Sequence, residues 1–181
     1  MECTPRLSRR LDGSIWGCVL SACGRYRYAL WRIWEPSQPL WMMALLNPST
    51  ATEEDDDATI TRCCVRARGG GAGGLVVVNS GAIRETDSNK ACAAADPIGP
   101  DNAAWIRALI PSCSLHIAGW GPKAARFGGD RLLREAFSDS GVALYALRTN
   151  RDGSPRHPLY IGYKVQPVLF ANIAVGGPED L

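Results

Sequence analysis

Apolar and polar positions along this chain fall into blocks of two different periods. Over 14–34, "SIWGCVLSACGRYRYALWRIW", two period-two stretches flank small residues near Ala22 to Gly24, which predicts a β-hairpin. In that register Tyr26, Tyr28, Leu30, Arg32 and Trp34 share one face of its second strand. Short unbroken apolar runs follow: "LWMMALL" (40–46), "LVVVN" (75–79), "SLHIAGWG" (114–121) and "VALYALR" (142–148). Runs of that length and composition predict strands buried on both faces. The segments between them have helical composition. "DATITRCCVRAR" (57–68) carries an acidic residue placed to cap its first turn. Pro100 can open a helix through about Ile110. "GGDRLLREAFSDSG" (128–141) ends on Gly141, a helix stop.

Buried strands separated by helices predict an α/β fold. The expectation is a three-layer sandwich around a central, mostly parallel four-stranded sheet, with the hairpin 14–34 added before a core spanning 40–165. A chain of 181 residues is expected to form one such domain over 1–181. In an open α/β sheet, ligands bind at the carboxyl ends of the strands. Four such ends can be read here: Asn47-Pro48-Ser49-Thr50, Asn79-Ser80, Trp120-Gly121-Pro122-Lys123, and the loop that carries Arg156-His157-Pro158. The topology is expected to bring Asn47, Asn79, Lys123 and His157 to one cleft.

Composition narrows the class. A hydrophobic fraction of 46% and a charged fraction of 21% are those of a soluble globular protein. No apolar run approaches the roughly 20 residues that span a bilayer, so no membrane partner is expected. "MECTPRLSRR" has no apolar stretch after its basic residues, so no secretory signal is expected. Seven cysteines without paired spacing point to reduced thiols in a cytoplasm. Cys63 and Cys64 are adjacent and leave no two-plus-two spacing for zinc. "GGGAGG" (69–74) precedes a strand and lacks the Lys-Ser/Thr ending of a P-loop, so it is not read as a phosphate cradle. A net charge of +2 neither demands nor excludes nucleic acid.

The motifs carry a resemblance. "RYRYALWRIW", "LNPSTA", "DATI", "VVVN", "AGWG" and "GSPRHPLY" resemble, over about residues 20 to 165, a family of uncharacterised bacterial and phage proteins, a domain of unknown function. Ala58 stands where that family usually has Pro, and "NSGAIR" replaces a commoner Asn-Leu-Phe-Ala form. The order of strand ends is also similar to the uracil-DNA glycosylase superfamily. That resemblance implies that Asn47-Pro48 matches the motif that positions water. It implies that Asn79 matches the residue that reads the flipped base, and that His157 stabilises negative charge on the departing base. It further implies an open pocket, because Ser49 follows the Asn-Pro motif where uracil-specific relatives carry a bulky Tyr.

The chemistry fits those residue types. Breaking an N-glycosidic bond leaves positive charge on the sugar and negative charge on the base, so a fixed donor near the base lowers the barrier. A carboxylate activates water better than an amide, and Asp57 is the candidate because it immediately precedes the helical pattern. The expected function is a DNA glycosylase that hydrolyses the bond to a flipped, C5-substituted pyrimidine, for instance in phage DNA. Pro48 and Ser49 join Asn79 at the base, and Thr50, Ser80, Lys123, Arg156 and Arg62 are expected on the DNA backbone. DNA is the expected partner, without a cofactor or metal, and the chain is expected to act as a monomer. Plainer readings stand beside these. Asn47-Pro48 serves equally as a turn, Asp55 to Asp57 as a solvated helix start, and His116 as a satisfied strand residue. A non-catalytic nucleic-acid-binding module, or a hydrolase of free modified nucleosides or nucleotides, remains the alternative.

Overall fold

The computed structural model describes residues 3–49 and 51–171. Its framework is one eight-stranded mixed sheet. The strands are β1 (Cys3–Arg9), β2 (Ile15–Ser21), β3 (Arg27–Ile33), β4 (Leu40–Leu45), β5 (Gly74–Asn79), β6 (Leu115–Ala118), β7 (Leu144–Ala146) and β8 (Val168–Ala171). They lie in the order β1-β2-β3-β5-β4-β6-β7-β8. The helices are α1 (Ala58–Gly69), α2 (Ser88–Ala93), α3 (Asn102–Leu109) and α4 (Gly129–Asp139).

This corrects the expected architecture. Four of the seven strand pairings are antiparallel: β1 with β2, β2 with β3, β3 with β5, and β7 with β8. Only the pairings of β4 with β5, β4 with β6 and β6 with β7 are parallel. A four-stranded, mostly parallel sheet in a three-layer sandwich is therefore wrong. The reason lies at both sheet edges. The hairpin is no appendage, because Leu30 to Ile33 pair in register with Val77 to Gly74 and continue the sheet. Two further strands, β1 and β8, extend it to the ends. The single face expected for β3 also breaks. The β2–β3 register shifts between Val19 and Leu20. Tyr26 and Tyr28 consequently pack with Val19, Ala82 and Ile83, whereas Leu30 packs with Cys18 and Val77.

Side-chain alternation on β4 and β5 explains the two large cores. Met43, Leu45, Leu75 and Val77 point to one face and bury Ile60, Cys63 and Ala67 of α1. Met42, Ala44, Val76 and Val78 point to the other and bury Ile106 of α3 with Leu133, Ala136 and Phe137 of α4. Each fully buried large side chain contributes about 1.5–3 kcal/mol. β4 and β5 are thus the rigid reference for whatever follows them in sequence. His116 is a satisfied strand residue, with Nε2 3.0 Å from the Ile110 carbonyl and its ring edge-on to Phe137. Gly141, at φ +65°, donates its N–H to Ser138 O at 3.0 Å and ends α4 as expected. No helix among the described residues is long and apolar enough to cross a membrane.

Candidate functional site

A cleft of about 400 Å³ opens where β4, β5 and β6 end, and Asn47, Asn79, Lys123 and His157 all line it. Its floor is the sheet face itself, with Leu45, Val77 and Asn79. Its walls come from the first turn of α1, the turn after β4, residues 85–88, the end of β6, and the loop carrying His157.

Asn47 leaves β4 at the cleft rim, and its amide has one possible orientation. Nδ2 donates to Pro48 O at 2.9 Å and to Glu85 O at 2.6 Å. Two carbonyl acceptors require the nitrogen there, so Oδ1 is the free end, with no donor among the described residues. Pro48 is buried, and its carbonyl also accepts from Glu85 N at 3.1 Å. Pro48 fixes the turn and does not line the cleft, which corrects its assignment to the base. Ser49 does line the cleft. Thr50 lies outside the described residues.

Asp57 caps α1, its Oδ1 accepting from Ile60 N at 2.9 Å. Oδ2 has no hydrogen-bond partner among the described residues, and Asp57 faces the cleft. Asn79 ends β5 at 2% exposure. Its carbonyl accepts from Asn102 Nδ2 at 2.9 Å, but its own Nδ2 is buried without a partner. Buried donors are seldom left so, and an acceptor brought by a ligand is the natural complement.

His157 is set by two close approaches. A Cβ at Gly119 would meet Pro158 Cδ at 2.8 Å, so only glycine lets β6 run under Pro158. Gly121, at φ +70°, donates to Pro155 O at 2.9 Å and ties the end of β6 to the same loop. His157 Nδ1 accepts from Leu159 N at 3.4 Å, which places the ring proton on Nε2. Burial pushes the imidazole below the ordinary histidine value, against a smaller upward pull from Asp57. The ring is therefore a neutral N–H donor at pH 7.

The expected backbone contacts divide. Lys123 lines the cleft and donates from Nζ to Ser88 Oγ at 2.7 Å. Arg156 is exposed and lies outside the cleft lining. One assignment is corrected. Ser80 is fully buried and donates to Leu46 O at 2.8 Å, so no phosphate reaches it. Arg62 is half-buried; its Nη2 donates to Ile161 O at 3.1 Å and its guanidinium stacks on Tyr163 at 4.6 Å, outside the cleft lining.

Arg27 is a buried cleft residue that sequence reasoning missed, as it missed Glu85, Ser88 and Tyr160. It begins β3, is 2% exposed, and stands between the cleft and a second pocket. A charged residue next to the aromatic positions of "RYRYALWRIW" was the available signal. Nη1 donates to the Ala51 carbonyl, and Nε has no partner. Burial pushes its pKa down to about 10.

A mixed β-sheet with helices packed on it and a polar cleft at its parallel strand ends defines the class of this protein. Within that class, the chain belongs to the family described as "Protein of unknown function (DUF1643)", which matches residues 27–159. The matched span starts at Arg27 and takes in every cleft residue but Tyr160. No curated protein and no solved structure matches the chain.

Proposed function

We propose that this protein is a DNA glycosylase that hydrolyses the N-glycosidic bond of a flipped, C5-substituted pyrimidine and leaves an abasic site. The observation that carries the reading is the cleft itself. A free amide oxygen (Asn47), an orphaned amide donor (Asn79), a carboxylate (Asp57) and a neutral imidazole donor (His157) meet at its lining. The order of Asn47, Asn79 and His157 along the chain resembles that of the uracil-DNA glycosylase superfamily, and Asp57 is added from its place at the start of α1.

The chemistry follows from those groups. Asn79 Nδ2 donates to a carbonyl of the flipped base. Asn47 Oδ1 accepts from a water held against C1′ of the sugar. The water oxygen bonds to C1′ as the C1′–N1 bond breaks, and the bonding pair leaves with the base. Asp57 takes the water proton, and His157 Nε2–H donates to the oxygen where negative charge collects. A fixed donor of this kind typically contributes about 10²–10³ in rate. Ser49, at the rim, leaves space beside C5.

Engaged clamps favour a second reading, a hydrolase of free modified nucleosides or nucleotides. Ser80 is unavailable to phosphate, and Arg62 Nη2 is held by the Ile161 carbonyl. Against it, Arg25, Arg84 and Lys90 surround a further pocket that shares Glu85 with the cleft, a placement suited to a continuing strand. The test is direct. DNAs carrying uracil, thymine mismatches or bulky C5-modified pyrimidines are incubated with the protein and heated in alkali. Strand cleavage is expected at a modified pyrimidine, falling at least about 10²-fold in Asn47→Ala and His157→Ala. Intact strands with every base, alongside release from free nucleosides, would move the assignment to the second reading.

A further inference from the structure

Arg27 is a buried cation that the proposed reaction does not use. Its side chain is 2% exposed, and no carboxylate pairs with it among the described residues. Of the acids near the cleft, Asp57 acts on Arg27 through space without forming an ion pair: it caps α1 through Oδ1 and keeps Oδ2 for the proposed reaction. Glu85 Oε1 accepts from Asp87 N at 3.0 Å and closes its own turn. Glu53 pairs with Arg6 at 3.0 Å. Arg27 holds only the Ala51 carbonyl, two residues beyond Ser49, and its Nε has nothing. Leaving a guanidinium desolvated and unpaired is costly, and the cost is recovered only when an anionic or strongly accepting group arrives.

The position selects the source of that group. Arg27 and Asn79 line the same cleft, and the Arg27 guanidinium reaches past it to the Ala51 carbonyl. A flipped base is the part of a nucleic acid that enters deepest, while its phosphates stay at the surface. We propose that Arg27 recognises an oxyanion carried by the base, such as a carboxyl group at C5. This rests on the reading that the cleft takes a pyrimidine. Ser49 then leaves room for a substituent, and Arg27 decides its chemistry. A smaller methyl group would enter the same space without hindrance and leave the guanidinium unpaired, so discrimination against it comes from charge and not from steric exclusion.

Calorimetric titration of the full chain tests this without any need for catalysis. The probes are 5-carboxy- and 5-methyl-2′-deoxycytidine, their deoxyuridine counterparts, and 2′-deoxycytidine 5′-monophosphate. The carboxyl nucleosides are expected to bind at least about tenfold more tightly than the methyl ones, the range of one charge-assisted hydrogen bond. The preference is expected to vanish in Arg27→Gln and to survive in part in Arg27→Lys, which keeps the charge but loses the planar fork. If Arg27→Gln does not fold, the wild-type comparison alone decides. Equal affinity for carboxyl and methyl nucleosides overturns the proposal. So does tighter binding of the monophosphate, which would assign Arg27 to phosphate. A carboxyl preference with no base release from any DNA sinks the glycosylase reading and leaves this one standing. Base release without the preference does the reverse.

Discussion

Asn79 and Asn47 carry the same amide and use it in opposite ways. Asn47 spends both donor hydrogens on the Pro48 and Glu85 carbonyls and so fixes the turn that it stands on. Asn79 is deeper, at 2% exposure, yet its Nδ2 donates to nothing among the described residues. A buried donor without an acceptor costs about 1–3 kcal/mol. A side chain kept at that cost is selected for something other than stability. Asn79→Leu removes the orphan at nearly constant volume. It is expected to leave the melting temperature unchanged or raised while abolishing base release. Asn47→Leu, by contrast, is expected to lower the melting temperature as well. Thermal melts beside the alkali-cleavage assay check both. A clear loss of stability in Asn79→Leu would make that amide a structural group.

Among the elements, α1 does the most to place the site, and it works from both ends. Its N-terminus presents Asp57 to the cleft. Its third turn carries Arg66, which donates from Nη1 to Tyr163 O (3.3 Å) and Val165 O (2.7 Å), and from Nη2 to Ile161 O (3.1 Å) and Gly162 O (2.8 Å). One guanidinium thus holds the segment that leaves the 158–160 turn, and with it the position of His157. Arg66→Met keeps the apolar stem and removes the donors. It is expected to cost at least about 2 kcal/mol in denaturant unfolding, since hydrogen bonds to a charged group contribute about 1.5–3 kcal/mol. Base release is expected to fall although Arg66 does not line the cleft, and proteolysis is expected to begin within 161–165. Unchanged release would separate this anchor from His157. α1 itself was legible in sequence because an acidic cap precedes a segment of helical composition between two apolar runs. The central strands were legible because β4 and β5 are unbroken apolar runs. The edges were not. β1 is "CTPRLSR", whose Pro5, Arg6 and Arg9 show no apolar alternation. β8 is four residues long, with Val168 and Leu169 exposed. Charge, proline and shortness suit strands that must not recruit neighbours, and the same features hide them from a search for hydrophobic period. Strand direction was hidden as well, because a buried run reads the same whichever way its neighbour points.

At the scale of the molecule, the cleft residues were legible one by one, because Asn-Pro and the terminal Asn stand where buried runs stop and His-Pro stands in the loop that follows another. Their surroundings were not, because contacts such as Arg62 on Ile161 or Ser80 on Leu46 join segments that sequence spacing does not relate. The charge on the surface has the same character. A net charge of +2 is small, but it is unevenly placed. Arg25, Arg84 and Lys90 are exposed around a pocket of about 250 Å³ next to the cleft. Arg84 Nη1 donates to Gly24 O at 3.0 Å, which orients its guanidinium without neutralising it. Like charges held together repel one another, and a polyanion relieves that repulsion. On the glycosylase reading these three residues grip the strand that flanks the flipped nucleotide. DNA affinity is then expected to fall with salt, with a log–log slope of about −0.7 to −0.9 for each phosphate neutralised. The double variant Arg84→Gln/Lys90→Gln removes two cations without touching the cleft floor. Its slope is expected to be shallower by about 1.5, with affinity for a free modified nucleoside unchanged. Fluorescence anisotropy across a salt series measures the slope, and nucleoside titration supplies the control. An unchanged slope would take the patch off the DNA path. Binding that ignores salt altogether would leave the cleft to free nucleosides or nucleotides, because a polymer cannot be held there without releasing its counterions.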